Sequence, residues 1–322
     1  MRSRKPRSVL VMAVVGVLLA ACGGSADSPP TRLTIGSGQE GSTFASYGEA
    51  MKAVLGSSLP GYSMVITPSN GSPENVRLLE RDPSAIGLVH SGVASDAILG
   101  RGEFKQPVPD LRVLANLYTS YIHVVTLPDR NIRSFRDLKG KRVSVGSKGT
   151  GTEIDAMQLL AVFGFDPARD LKIQRLSTSD SIKQLDGGGI DAFFRTDGIP
   201  GPAIAELAGK RRIILVPLDE FVRPLQQRYG GGQTYTAATI PAATYGGVPT
   251  ATPTVALPNL LVVNRSMDDD LAYRLTKALF EHKGQLAGME KEARNLDQLT
   301  AQEVAPLELH PGAARYYDEA LG

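Results

Sequence analysis

Short, almost wholly apolar runs alternate with segments of helical period from residue 31 to the C-terminus, and few folds accommodate that order. The runs at 33–35, 62–67, 85–89, 111–114, 123–127, 142–145, 172–176, 190–194, 213–216 and 260–263 read as strands. Several hold almost no polar residue, as strands covered on both faces do. Between them Phe44, Tyr47, Met51 and Val54 recur at helical spacing, and Leu271, Leu275, Ala278 and Leu279 repeat the pattern. Alternation of this kind argues for an α/β architecture with mostly parallel sheets. The longest stretch with neither signature is 229–258, rich in Gly, Pro, Thr and Ala, which reads as a functional loop or a crossover.

Helix boundaries are marked by chemistry. Ser72-Pro73 has the form of a cap followed by a first-turn proline. Thr150 and Glu153 stand at capping-box spacing, and Gly164-Phe165 has the form of a glycine stop with an apolar clasp. Ser266 with Asp269 is expected to start the long helix near Met267.

The N-terminus carries a separate message. Arg2, Arg4, Lys5 and Arg7 precede an apolar run and then Leu19-Ala20-Ala21-Cys22. A basic head with a short apolar stretch ending in small residues is a secretory signal. The run is shorter than the roughly 20 residues that a spanning helix needs. Cys22 is the only cysteine of the chain and follows the small pair directly. The tetrad resembles the lipobox of bacterial lipoproteins, which implies a signal over 1–21 and a lipidated Cys22; a plain signal with a chance cysteine is the alternative. Residues 22–30 then form a flexible, Pro-rich tether. The signal holds four of the 35 basic residues and none of the 33 acidic ones, leaving a slightly acidic remainder with no nucleic-acid footprint. With no further cysteine, the fold rests on core burial alone, which some 300 residues supply amply.

Candidate chemistry gathers at turns between strands and helices. Gly36-Ser37-Gly38-Gln39-Glu40-Gly41 matches the dinucleotide pattern GxGxxG. The next strand, however, runs into Pro68-Ser69-Asn70 without the carboxylate that would hold a ribose. A tight turn, or a small-ligand cradle using Gly38, Ser42, Thr43 and Phe44, are the readings left. Gly146–Gly151 has the spacing of a phosphate loop, but Thr152 stands where that loop needs Lys. What remains is a capped helix start, or a small-anion site made by Ser147, Thr150, Gly151, Thr152 and Glu153 at its positive end. Arg195 and Asp197 form a third turn, fit to hold a carboxylate and an ammonium, or one another. Two further turns, 69–72 with Asn75 behind it and 90–92 with Ser91, also follow strand ends. Open α/β sheets bind ligands at such ends, and five of these turns suggest one cleft.

Enzyme signatures are missing. His90, His123, His282 and His310 are scattered, no GxSxG elbow occurs, and no cysteine remains as nucleophile or metal ligand. His123, beside Tyr118 and Tyr121, is more readily a structural histidine than a cleft residue. No catalytic residue, cofactor or metal is expected.

The turns and their order resemble the TAXI-type solute-binding proteins of tripartite ATP-independent periplasmic (TRAP) transporters. The carrying segments are Leu33 to Phe44 (LTIGSGQEGSTF), Gly71 to Leu79 (GSPENVRLL), Asp137 to Glu153 (DLKGKRVSVGSKGTGTE), Asp191 to Phe194, Leu271 to Phe280, and Leu309 to Tyr317. They run through nearly all of the sequence beyond the tether. The resemblance implies a bilobed type II periplasmic-binding-protein fold, its two mostly parallel-sheet lobes joined by two crossovers. The expected lobes are 31–119 plus 256–322, and 120–255. It also implies a small carboxylate ligand, with glutamate, glutamine and 2-oxoglutarate as leading candidates, and a membrane permease driven by an ion gradient. A histidine-kinase ectodomain is the alternative partner. One departure stands out: the first loop carries Glu40, and only Tyr47 lies near where the family commonly has a Gly-richer stretch and two tyrosines.

Overall fold

The computed structural model describes residues 30–229 and 234–322; the basic head, Cys22 and most of the tether lie outside the described residues. The chain begins with β1 (Thr31–Gly36), α1 (Thr43–Ser58), β2 (Tyr62–Thr67), α2 (Ser72–Arg81), β3 (Ile86–His90) and α3 (Ser91–Leu99). A long strand, β4 (Leu111–Thr126), leads to β5 (Arg142–Ser144), α4 (Gly151–Phe163), β6 (Lys172–Gln174), α5 (Thr178–Asp186) and β7 (Ala192–Asp197). After α6 (Pro202–Lys210), β8 (Ile214–Leu215) and α7 (Val222–Tyr229), the chain returns through β9 (Thr236–Ile240) and β10 (Thr252–Asn264). It ends in α8 (Asp269–Glu281), α9 (Lys283–Met289), α10 (Gln298–Ala301) and α11 (Pro311–Leu321).

The main strand order is β2-β1-β3-β10-β4-β7-β5-β6. Each end of this order is parallel: β1 pairs with β2 and β3, and β5 pairs with β6 and β7. The antiparallel pairs come from the two long strands. β10 runs against β3, β4 and β9, and β4 runs against β7 and β8. Parallel α/β halves are therefore joined through a central antiparallel pair that both share.

Each half buries its own apolar core. In the first, Tyr47, Met51 and Leu55 of α1 pack with Leu275 and Leu279 of α8 and Tyr317 of α11 over β1. Tyr316 and Tyr317 are packing residues, and the Tyr317 hydroxyl donates to Leu114 O (2.9 Å). In the second, Phe135 is ringed by Phe163, Phe165, Phe194 and Phe221 at centroid distances of 4.6–6.1 Å. Offset and edge contacts at that range add to the area the rings bury.

Local differences from the sequence expectations have clear causes. Runs 111–114 and 123–127 belong to one strand, and Tyr118 and Ser120 between them face the cavity where the two halves meet. The stretch 229–258 is not one loop. It contains β9 and the start of β10, and the Thr- and Ala-rich β9 lacks the apolar contrast that marks a strand. Helix α8 is capped by Asp268, which accepts from Leu271 N (2.9 Å), while Ser266 Oγ donates to Asn264 instead. Gly71 precedes α2, and the Ser72 hydroxyl accepts from His90 N (2.9 Å). Thr150 and Gly164 cap α4 at the expected places, but the Glu153 carboxylate takes Gly149 N, not the Thr150 N of a full capping box. No helix among the described residues is long and apolar enough to cross a membrane.

Candidate functional site

The strand-to-helix turns of both halves meet at one small cavity of about 60 Å³. From the first half come Gly38, Gln39, Ser42, Thr43 and Phe44 at the start of α1, and Asn70, Gly71 and Ser72 before and at the start of α2. His90 adds the end of β3, and Tyr118 and Ser120 the middle of β4. From the second half come Thr150, Gly151 and Thr152 at the start of α4, with Arg195, Thr196 and Asp197 at the end of β7.

The first turn shows what its glycines are for. A Cβ at Gly36 would come within 2.6 Å of the Asn75 amide, and one at Gly38 within 2.6 Å of Ser42 Oγ and 2.7 Å of Phe44 Cβ. Gly41 turns the chain at φ +75°, where a side chain is strained. Ser42 then caps α1, accepting from Ala45 N (3.2 Å). The glycines serve close packing and a tight turn, and the N–H groups of Thr43 and Phe44 are left without intrahelical partners at a positive helix end. The N–H groups of Gly151 and Thr152 stand the same way at α4, whose cap Thr150 accepts from Glu153 N (3.2 Å).

Arg195 and Asp197 pair with each other. Arg195 Nε and an Nη donate to Asp197 Oδ2 (3.1 and 2.7 Å), while its other Nη donates to Thr178 Oγ1 (2.9 Å). Asp197 Oδ1 accepts from Thr43 Oγ1 at 2.6 Å, a hydrogen bond that joins α1 of one half to β7 of the other, and from Gly198 N (3.1 Å). Burial pushes the Asp197 carboxyl up, but Arg195 and the bonds from Thr43 and Arg195 outweigh it and hold the group below its ordinary range. A carboxylate has about four acceptor sites, and these four donors occupy them.

Four other residues singled out in the sequence lie outside the cavity lining. Asn75 spends its amide on the scaffold, donating to Ser37 O and Leu88 O (both 2.7 Å) and accepting from Ser69 Oγ (2.7 Å). Ser91 Oγ donates to Thr234 O (3.1 Å). Ser147 offers its carbonyl to Thr150 (2.7 Å). The Glu153 carboxylate binds Gly149 N and Arg175, and faces the adjoining groove. Glu40 likewise faces grooves outside the cavity, and Lys148 is exposed. His123 is structural: Tyr245 OH accepts from Gly201 N (2.8 Å) and so donates to His123 Nε2 (2.9 Å), leaving Nδ1–H for Arg195 O (3.2 Å). Burial lowers its pKa to about 4, so it stays neutral.

Behind the junction lies a buried acidic group. Glu290 accepts from Ser46 Oγ and from Glu292 N (3.0 Å), and the Glu292 carboxylate accepts from Asn295 (2.8 Å). Burial raises Glu292 to about 7; Lys291 opposes and Glu290 adds to the rise. A carboxyl whose folded pKa lies above its unfolded one favours folding at low pH, and that contribution is lost as pH climbs from about 4.5 to about 7. Glu292→Gln should therefore raise the melting temperature relative to wild type more at pH 8 than at pH 5, in a buffer series read by calorimetry. An offset that does not change with pH would refute the assignment. Among the described residues no group of three or more His, Cys, Asp or Glu is placed to hold a metal ion.

Two parallel α/β halves, bridged by a shared antiparallel strand pair and presenting helix N-termini to one cavity, define the periplasmic-binding-protein fold. The chain belongs to the NMT1-like family, which it matches over residues 35–320. Its fold is similar to that of MatC from Rhodopseudomonas palustris, solved with bound malate (TM-score 0.54, 14% identity, covering 90% of this chain and 98% of that one). It is also similar to the periplasmic aliphatic sulphonate binding protein SsuA from Escherichia coli (TM-score 0.50, 14% identity, 90% and 83%). A TctC solute binding protein from Polaromonas matches comparably (TM-score 0.50, 13% identity, 90% and 96%).

Proposed function

We propose that this chain is an extracytoplasmic solute-binding protein of TAXI type, which closes on a small carboxylate and hands it to a TRAP permease. Its lobes are 31–119 with 256–322, and 120–255, and the solute sits between them. Glutamate, glutamine and 2-oxoglutarate are the leading candidates. The carrying observation is that the starts of α1, α2 and α4 meet at one cavity. A carboxylate stripped of water needs replacement donors, and helix ends supply unpaired N–H groups with a favourable dipole. Arg195 and Asp197, the cavity's paired ions, cancel in charge, so the helix ends decide the preferred sign. The solved fold relatives and the family support the binding role; the ordered TAXI-like segments support the transporter type. Lipidation of Cys22 with two acyl chains would hold the protein at the membrane, where one chain binds only weakly.

A thermal-shift screen of the protein lacking residues 1–21 tests the reading. Amino acids, 2-oxo acids and dicarboxylates form the panel. A ligand at 100 times its dissociation constant adds about 2.7 kcal/mol of stability, a readily measured shift. Silence across every acidic compound would overturn the carboxylate assignment.

A further inference from the structure

We propose that His90 is a specificity-determining residue of the cavity: held by Asp155, it offers Nε2 as an acceptor to a protonated nitrogen on the ligand, so that α-amino acids are preferred over their 2-oxo counterparts. The inference rests on the carboxylate-binding reading and narrows it.

Among the described residues, the one carboxylate in the cavity lining is already engaged. The Asp197 carboxylate is filled by Thr43, Gly198 and Arg195. The hydroxyl of Ser42 donates to Gln39 O (2.6 Å), that of Thr150 to Ser147 O (2.7 Å), and that of Thr196 to Asp155 Oδ2 (2.7 Å). These hydroxyl oxygens keep lone pairs for a ligand ammonium, and an imidazole nitrogen would add a more basic acceptor beside them.

His90 is placed to supply it. The residue is 7% exposed and lines this cavity. Its ring meets Phe44 edge-on, with centroids 5.1 Å apart and planes at 70°. Its other edge lies on the start of α4, where a Cβ on Gly151 would fall 2.6 Å from Nδ1. That Nδ1 is buried without a hydrogen-bond partner, and it stands 3.5 Å from Asp155 Oδ2. Asp155 is itself 1% exposed, and its Oδ1 is also unpartnered. A buried ring nitrogen left without a partner is costly unless it directs a proton at the carboxylate beside it. A neutral imidazole with Nδ1–H toward Asp155 meets that demand, and the carboxylate then fixes the tautomer. Nε2, with its lone pair, is left for the cavity. His90 ends β3 and Asp155 lies on α4, so the pair forms across the two halves, and the acceptor is aligned only when they are together.

Isothermal titration with L-glutamate and 2-oxoglutarate as probes tests this. Wild type should bind L-glutamate more tightly. His90→Phe keeps a ring of similar size but no acceptor, and should cut the L-glutamate to 2-oxoglutarate affinity ratio about tenfold, the value of a hydrogen bond to a charged group. Asp155 acts as a positioning residue: Asp155→Asn retains an acceptor oxygen and should keep the ratio, while Asp155→Leu should lose it. Nitrogen-15 spectra of the glutamate-loaded wild type should show the Nδ1–H tautomer at His90. A ratio unchanged in His90→Phe, or an Nε2–H tautomer in the loaded protein, overturns the inference alone. Binding of neither probe to wild type overturns this inference, while the carboxylate reading stands or falls with the wider acid panel.

Discussion

Asp197→Ala should lower the unfolding free energy at pH 7 by about 3–5 kcal/mol, the usual result of removing one partner from a buried ion pair. The variant leaves the Arg195 guanidinium, which is mostly buried, without its carboxylate. It also removes the acceptor of the Thr43 hydroxyl, the bond that ties α1 to β7. The cost comes from the uncompensated charge more than from the lost contact. Arg195→Met combined with Asp197→Ala should therefore be less destabilised than Asp197→Ala alone, since the stranded charge is gone. The pH dependence follows from the depressed folded pKa. Stability from such a carboxylate is present above its unfolded pKa and is lost as pH falls through the folded value. The gap between wild type and Asp197→Ala should thus be full near neutrality and shrink below about pH 4. Urea unfolding at pH 7 and pH 3.5 measures it. A double variant as unstable as the sum of its single changes would show that Arg195 is not strained by the loss.

The architecture was legible because its elements announce themselves locally. β2 has the bounds that its apolar run implies, and the caps at Thr150 and Gly164 sit where side-chain and glycine chemistry demand. What escaped was whatever depends on distant contacts. β9 is defined by its pairing with β10, not by its own Thr- and Ala-rich composition. The unity of β4 depends on Tyr118 and Ser120 facing a cavity that exists only in the folded chain.

The site divides along the same line. Gly38, Ser42, Thr43, Phe44, Thr150, Gly151, Thr152, Arg195 and Asp197 occupy turns after strands, and topology alone brings such turns together. Asn75, Ser91 and Glu153 sit in or beside the same turns, yet the scaffold uses their side chains on backbone groups. Sequence spacing carries no sign of which demand wins. His90 and Asn70 lie in turns the pattern had marked, and their place in the lining could have been read from that signal. Tyr118, mid-strand between Leu117 and Thr119, gave none.

Gly151 offers the sharpest test of closure as distinct from folding. Its φ is not in the left-handed region, and it opens α4, where any residue fits the backbone. A side chain there points at His90 across the junction, and its Cβ would meet Nδ1 at 2.6 Å and Cε1 at 2.9 Å. The three atoms nearest to that Cβ all belong to His90 of the other half. On the closure reading, the free protein should melt close to wild type while ligand affinity drops. Overpacking of a tight contact costs about 1–3 kcal/mol, which corresponds to roughly 5- to 150-fold in dissociation constant. Gly151→Ala should fall between the two, because its methyl meets the same ring with less bulk. Titration with whichever probe stabilises wild type most, set beside small-angle scattering with and without that probe, reads both affinity and compaction. Wild-type affinity with full compaction in Gly151→Val would mean that the halves do not close through this contact. A large loss of stability without ligand would mean that the two halves are already held together when the cavity is empty.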